Sequence, residues 1–99
     1  MPRLESAYKT RLVKRLEKRF PGAIVLRLDP NDQQGVPDIL ILFNDRWGTL
    51  EGKRDADAPT QPNQPYWVDR MNRMSFSAFI WPEIEEEVLH ALESALRSY

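Results

Sequence analysis

The chain has 99 residues, enough for one small domain with one hydrophobic core and too few for two. Its hydrophobic content of 41% and charged content of 29% are ordinary for a soluble globular protein, and no apolar run has transmembrane length or the pattern of a signal peptide. Cysteine is absent, which excludes disulfides and thiolate metal sites and suits a protein of the reducing cytoplasm without membrane contact.

The net charge of −1 conceals an uneven distribution of charge. Basic residues dominate residues 3–19, whereas residues 83–99 carry five glutamates against Arg97. A basic N-terminal element and an acidic C-terminal one predict a polarised surface.

The first third of the chain predicts a helix, a strand and a loop. Residues 3–20 have the pattern of an amphipathic helix, with apolar residues at four-residue spacing, and Pro21-Gly22 ends it. Residues 23–28 favour a short strand, and residues 29–35 form a loop rich in turn formers.

A β-hairpin is predicted between Gly35 and Lys53, with Asn44-Asp45 as a two-residue turn. The register that this turn imposes pairs Phe43 with Arg46, Leu42 with Trp47, Leu40 with Thr49 and Asp38 with Glu51. Opposed residues of an antiparallel pair point to the same side with Cβ atoms ~5 Å apart, and Lys53 shares their face. A three-residue loop without a bulge would place the two acids on opposite faces.

The remaining segments complete a small α/β domain. Residues 54–65 predict a proline-rich loop, residues 66–74 a short helix, residues 75–81 a strand and residues 83–98 a final helix. The predicted order is therefore α-β-β-β-α-β-α, with one mixed sheet built around the central antiparallel hairpin.

The charged end of the hairpin predicts a metal site. Two carboxylates this close repel each other unless one is protonated or a cation lies between them. Oxygen ligands select a hard cation such as Mg²⁺ or Mn²⁺. Asp38 and Glu51 are the expected ligands, with the Gly52 carbonyl and Glu5 of the first helix as further candidates. Lys53 is placed to orient water or to neutralise charge on a phosphoryl group.

These residues resemble the signature of the PD-(D/E)XK nuclease superfamily. Pro37-Asp38 is followed, after twelve residues, by Glu51-Gly52-Lys53. Gly35-Val36-Pro37-Asp38 and the later Gln64-x-x-Trp67-Val68 look most like the small VRR-NUC branch (virus-type replication-repair nucleases), which is close to Holliday-junction resolvases. The resemblance covers about residues 3–81. It implies a single restriction-endonuclease-like domain over residues 1–99, with helix 83–98 added to the core.

The resemblance also implies roles for individual residues. Asp38 and Glu51 would bind the metal with their side chains, Gly52 with its carbonyl, and Glu5 would be an accessory acid. Lys53 would be the catalytic base or the group that orients water. Gln64 would position Lys53 or the substrate phosphate, although Gln61 competes for that role. The residue between Glu and Lys is usually aliphatic in the family, and Gly52 departs from that pattern.

The predicted partner is DNA, and the predicted activity is Mg²⁺- or Mn²⁺-dependent hydrolysis of its phosphodiester bonds. The basic face of the first helix is the candidate contact surface, unless it is simply a solvated face. Its basic residues are Lys9, Arg11, Lys14, Arg15 and Lys18. Lys9 is also spaced to pair with Glu5 on the same helix. The small surface favours recognition of branched or flapped DNA over base-specific readout.

Family analogy is compatible with a homodimer and with a phage or bacterial origin. Two other functions remain open. One is a nucleic-acid-binding module of the same fold without catalysis. The other is a small protein-interaction domain whose partner binds the acidic last helix.

Overall fold

The computed structural model describes residues 2–29 and 33–97 and contains three α-helices and four strands in this part of the chain. The elements are α1 (Pro2–Arg19), β1 (Ile24–Arg27), β2 (Ile39–Phe43), β3 (Arg46–Gly52), α2 (Gln64–Met74), β4 (Phe76–Ile80) and α3 (Glu85–Arg97). The predicted small α/β domain with a mixed sheet is confirmed. Residues 30–32 of the predicted loop, and Ser98 of the predicted last helix, lie outside the described residues.

The last helix begins later than predicted. A 3-10 turn over Pro82–Ile84 precedes α3, so the order differs from the predicted one by this extra turn. Pro82 starts the turn, and the Ile84 N–H donates to the Trp81 carbonyl at 3.1 Å. None of the described helices is both long and apolar enough to cross a lipid bilayer.

The sheet has the strand order β1-β2-β3-β4, with the predicted hairpin at its centre. Strands β2 and β3 pair in the predicted register, from Phe43 opposite Arg46 to Ile39 opposite Leu50. Asn44 in the turn has a φ of 56°, a left-handed conformation that asparagine tolerates. Strand β1 is antiparallel to β2, and β4 is parallel to β3.

One face of the sheet forms the core with α1 and α3. Ile39, Ile41 and Leu50 alternate towards this face and are fully buried. Their buried partners from the two helices include Tyr8, Leu12, Leu16, Val88 and Leu92. Side chains alternate between the two faces along a strand. The opposite face of the sheet therefore carries residues 38, 49, 51 and 53.

Helix α2 packs on that opposite face. The Thr49 hydroxyl donates to the Ser77 hydroxyl at 2.8 Å and lies 3.6 Å from the Met71 sulfur. The helix begins at Gln64, two residues before its predicted start, with Asn63 as the N-cap. On α2, Val68 is buried, whereas Met74 near the end of the helix is 70% exposed.

The basic and acidic helices lie side by side and pair with each other. The Arg15 guanidinium donates to both carboxylate oxygens of Glu85, at 2.6 and 2.7 Å. Arg19 pairs with Glu86 at 3.0 Å and with Glu93 at 3.1 Å. The predicted polarised surface is therefore partly neutralised where α1 meets α3.

Candidate active site

The two acids of the hairpin lie together at the end of the central strands. Asp38 immediately precedes β2, and Glu51 is the penultimate residue of β3. Because Ile39 pairs with Leu50, extending the ladder by one residue sets Asp38 opposite Glu51. Asp38 is 7% exposed and Glu51 is 2% exposed, so both carboxylates are largely withdrawn from water. The predicted register therefore brings both acids to one place, as expected.

A lysine from α1 lies between the two acids. The Lys9 ammonium is 2.7 Å from Asp38 Oδ2 and 3.5 Å from Glu51 Oε2. It is also 3.5 Å from Glu5 Oε2, which confirms the predicted pairing of Glu5 and Lys9 on one helix. Sequence reasoning missed the two contacts with the hairpin acids, and it assigned Lys9 to the DNA-binding face. In the structure the Lys9 ammonium lies instead in the carboxylate cluster formed by Glu5, Asp38 and Glu51.

Gly52 makes room for this lysine. Its neighbours Glu51 and Lys53 face α2, so Gly52 faces α1. A Cβ at Gly52 would lie 3.0 Å from Lys9 Cγ and 3.5 Å from Lys9 Cε. The aliphatic stem of Lys9 therefore crosses β3 where a side chain would obstruct it. This crossing gives a physical reason for a glycine between Glu51 and Lys53.

The pKa values of Glu51 and Lys9 are both raised in this cluster. Burial and then the charge of Asp38 raise the pKa of Glu51 from 4.5 to about 7, against the opposing effect of Lys9 and Lys53. For Lys9, burial lowers the pKa, but the hydrogen bond and charge of Asp38, with the charges of Glu51 and Glu5, outweigh it. The pKa of Lys9 is raised, so this side chain is a cation at neutral pH.

Asp38 has one oxygen with charged neighbours and one without a partner. Its Oδ2 atom contacts Lys9 and lies 3.6 Å from the Arg27 guanidinium of β1. Its Oδ1 atom is buried and has no hydrogen-bond partner among the described residues. The Asp38 carbonyl accepts a hydrogen bond from the Leu28 N–H at 2.7 Å, which ties this residue to the end of β1. A buried carboxylate oxygen left unpaired is costly unless a ligand or an ion satisfies it.

Lys53 and Gln64 form the second half of the site. Lys53 is 4% exposed, and its ammonium donates to Gln64 Oε1 at 2.8 Å and to the Pro59 carbonyl at 3.0 Å. The Gln61 N–H donates to the same Gln64 oxygen at 2.9 Å. The structure thus brings Gln64 to Lys53, as predicted, whereas the Gln61 side chain is exposed. Whether this pair is catalytic stays a prediction.

Gly35 lies in the loop before β2 and brings that loop against Asn63, the N-cap of α2. It has a φ of +90°, and a Cβ there would lie 2.5 Å from the Asn63 Cβ. Only glycine permits both this backbone conformation and this close approach. The approach forms a cleft of about 250 Å³ whose lining includes Lys9, Asp38, Glu51 and Gln64. A second cleft of about 290 Å³ shares Lys9 and Glu51 and adds Glu5 and Lys53.

The other predicted DNA contacts lie on α1 outside this cluster. Arg11, Lys14 and Lys18 are exposed. Arg15 is also exposed, but its guanidinium is paired with Glu85. The exposed basic surface of α1 is therefore smaller than its sequence predicts.

The donors of the cluster suit a hard cation. Among the described residues, no group of three or more His, Cys, Asp or Glu side chains has a metal-binding arrangement, so two carboxylates are the principal candidates. The Lys53 N–H donates to the Ile80 carbonyl of β4, and the Gly52 carbonyl of the same trans peptide group points the opposite way, towards β2. The residue opposite it in the extended hairpin register is Pro37, which has no N–H to donate. The unpaired Asp38 oxygen and this carbonyl fit the oxygen ligands that Mg²⁺ and Mn²⁺ prefer.

No protein-family model, curated protein or solved structure matches this chain.

Proposed function

We propose that this protein is a Mg²⁺- or Mn²⁺-dependent phosphodiesterase that hydrolyses DNA. The observation that carries the proposal is the pair of buried acids at one end of the central hairpin. Asp38 and Glu51 contact a common cationic group, Lys9, and Asp38 retains a buried oxygen with no partner in the described part of the chain. A structural salt bridge with Lys9 leaves the buried Asp38 Oδ1 atom without a partner among the described residues, and such an atom is costly unless a ligand or an ion satisfies it.

The metal ligands in this proposal are the side chains of Asp38 and Glu51 and the carbonyl of Gly52. Glu5 is half-buried on α1 and near the same ammonium, which suits an accessory acid. A divalent cation bound there lowers the pKa of a bound water and stabilises negative charge on a phosphoryl oxygen. The adjoining clefts offer the space that a phosphate group needs beside the acids.

Lys53 is the proposed group that orients water or the phosphate. An ammonium has three N–H donors, and the Pro59 and Gln64 oxygens account for two of them. The third donor has no acceptor among the residues that the structure describes, which leaves it for a phosphate oxygen or a water. Because Lys53 and Gln64 are both buried, their mutual hydrogen bond holds the ammonium in one position before substrate arrives.

DNA is the proposed substrate because α1 presents exposed positive charge at Arg11, Lys14 and Lys18. Contacts of this kind bind the phosphate backbone without reading base sequence. A domain this small has little remaining surface to insert into a groove, so cleavage selective for branched or flapped DNA is the expected specificity.

A cleavage assay tests the proposal. Purified protein is incubated with duplex, flapped and four-way-junction DNA in Mn²⁺, in Mg²⁺ and in a chelator. The proposal predicts cleavage with either metal, none with the chelator, and at least a hundredfold loss of rate in both Asp38→Asn and Lys53→Met. Asp69→Asn, an exposed acid of α2, is the control that keeps its activity. Cleavage by Asp38→Asn at the wild-type rate contradicts the proposal.

A second candidate function is favoured by one observation, the contact of Lys9 with both acids. If the ammonium holds this position permanently, the chain is a nucleic-acid-binding module without catalysis. Such a module binds DNA equally in Mn²⁺ and in chelator, and Lys53→Met leaves its affinity unchanged. Binding that is measured by fluorescence anisotropy at several salt concentrations distinguishes it from the nuclease.

A further inference from the structure

The Lys9 ammonium occupies the space between one oxygen of Asp38 and one oxygen of Glu51. Its nitrogen lies 2.7 Å from Asp38 Oδ2 and 3.5 Å from Glu51 Oε2. A divalent cation held by both of these oxygens would compete with the ammonium for this space. The two cations cannot occupy it together, because their charges repel at short range in a buried site.

The backbone is adapted to this arrangement. Lys9 reaches the acids because its stem crosses Gly52, where any larger residue would press on Lys9 Cγ. Even with the ammonium present, the Asp38 Oδ1 atom has no hydrogen-bond partner within residues 2–29 and 33–97, so Lys9 compensates the acids only in part. The open cleft of about 250 Å³ beside Lys9 provides room into which its flexible side chain can move.

We propose that Lys9 is an internal counter-ion that a divalent cation displaces from Asp38 and Glu51, and that it thereby sets the metal affinity of the site. This inference rests on the proposed function only in requiring that the two acids bind a metal. In the metal-free protein Lys9 reduces the repulsion between the acids. On metal binding its ammonium leaves Asp38 Oδ2. The free energy needed to break that ion pair makes the free energy of metal binding less favourable, so the affinity is lower.

The test is the affinity for Mn²⁺, measured by isothermal titration calorimetry on the full chain. Lys9→Met keeps an unbranched, helix-compatible side chain over Gly52 and removes the charge. The expected result is Mn²⁺ binding at least roughly tenfold tighter than in the wild type, because the metal no longer competes with an ammonium. Arg73→Met removes a positive charge from the last turn of α2 and is expected to bind Mn²⁺ with wild-type affinity.

A measurement on the wild type guards against misfolding of the variant. In protein carrying ¹³C-labelled lysine, saturating Mg²⁺ is expected to shift the Lys9 Cε–Hε resonance and to leave that of Lys14 in place. Equal or weaker Mn²⁺ binding by folded Lys9→Met overturns the inference, as does an unchanged Lys9 resonance at saturating Mg²⁺.

The two proposals fail in different ways. If Lys9→Met and wild type bind Mn²⁺ equally and the wild type cuts DNA, the inference is wrong and the proposed function stands. If Lys9→Met binds Mn²⁺ more tightly but neither protein cuts DNA, the inference stands and the nuclease is wrong. If neither protein binds Mn²⁺, both are wrong.

Discussion

The pKa of Glu51 predicts that the metal-free protein loses stability as the pH rises towards and through neutrality. In the folded chain, burial and the charge of Asp38 raise the pKa of Glu51 from 4.5 to about 7. Between these two values the folded protein holds a proton on Glu51 that the unfolded chain has released. Since the folded state binds more protons in this window, the free energy of unfolding falls with increasing pH.

The size of this effect follows from the pKa difference. One pKa unit corresponds to ~1.36 kcal/mol, so a pKa raised from 4.5 to about 7 corresponds to about 3 kcal/mol. This contribution is fully present below about pH 4.5 and is lost as the pH rises through about 7. Glu51→Gln removes the titrating group, and its neutral amide resembles the protonated acid. We therefore expect this variant to be as stable as wild type at pH 4.5 and up to about 3 kcal/mol more stable at pH 8.

Urea denaturation followed by circular dichroism, at pH values from 4.5 to 8 and with a chelator present, measures this difference. Glu17→Gln is the matched control, because Glu17 is an exposed acid on α1. Titrating groups remote from the site contribute alike to wild type and variants, so the difference between the two curves reports Glu51 together with the charges that interact with it. Parallel curves for wild type and Glu51→Gln would refute the reasoning, since they would mean that folding leaves the pKa of Glu51 unchanged.

Two further substitutions test the surroundings of the site. Gln64→Leu removes the buried acceptor of the Lys53 ammonium and should lower the free energy of unfolding, measured by urea denaturation, by ~1–3 kcal/mol. Gln61→Leu is the control, and because its side chain is exposed it should cost less than about 0.5 kcal/mol. Equal losses of stability in the two variants would argue against the buried hydrogen bond. Gly52→Ala should destabilise wild type more than it destabilises Lys9→Ala, because the new Cβ meets the Lys9 stem. In a double-mutant cycle we expect a coupling energy of ~0.5 kcal/mol or more between the two substitutions. Additive effects on stability would show that the two residues do not touch.

The hairpin was predictable because its register depends on local rules. Asn44-Asp45 suits a two-residue turn, and the turn alone sets Phe43 opposite Arg46. Side-chain alternation then carries the same register to Asp38 and Glu51 without any knowledge of the helices. The association of Gln64 with Lys53 was predictable only through the family resemblance, since the loop of residues 54–63 separates them.

The position of Lys9 was not predictable in the same way. Its spacing from Glu5 indicates a pair on one helix, and that pair is present. The contact with Asp38 depends on how α1 crosses the sheet, which no local pattern determines. Gly52 was the one available signal, because a missing side chain in a central strand can mark the close approach of another group. The pairing of Arg15 with Glu85 likewise depends on the packing of two helices at opposite ends of the chain.

A thermal-shift experiment with Mn²⁺ tests the central claim, that Asp38 and Glu51 bind a divalent cation, most directly. It requires no knowledge of the substrate, and it compares wild type with Asp38→Asn, which removes one ligand charge. A ligand that binds only the folded state at 100 times its dissociation constant adds about 2.7 kcal/mol to the free energy of unfolding. We predict a rise in the melting temperature of wild type with increasing Mn²⁺ and no rise for Asp38→Asn. An equal rise in both proteins, or none in wild type at millimolar Mn²⁺, would contradict the metal site.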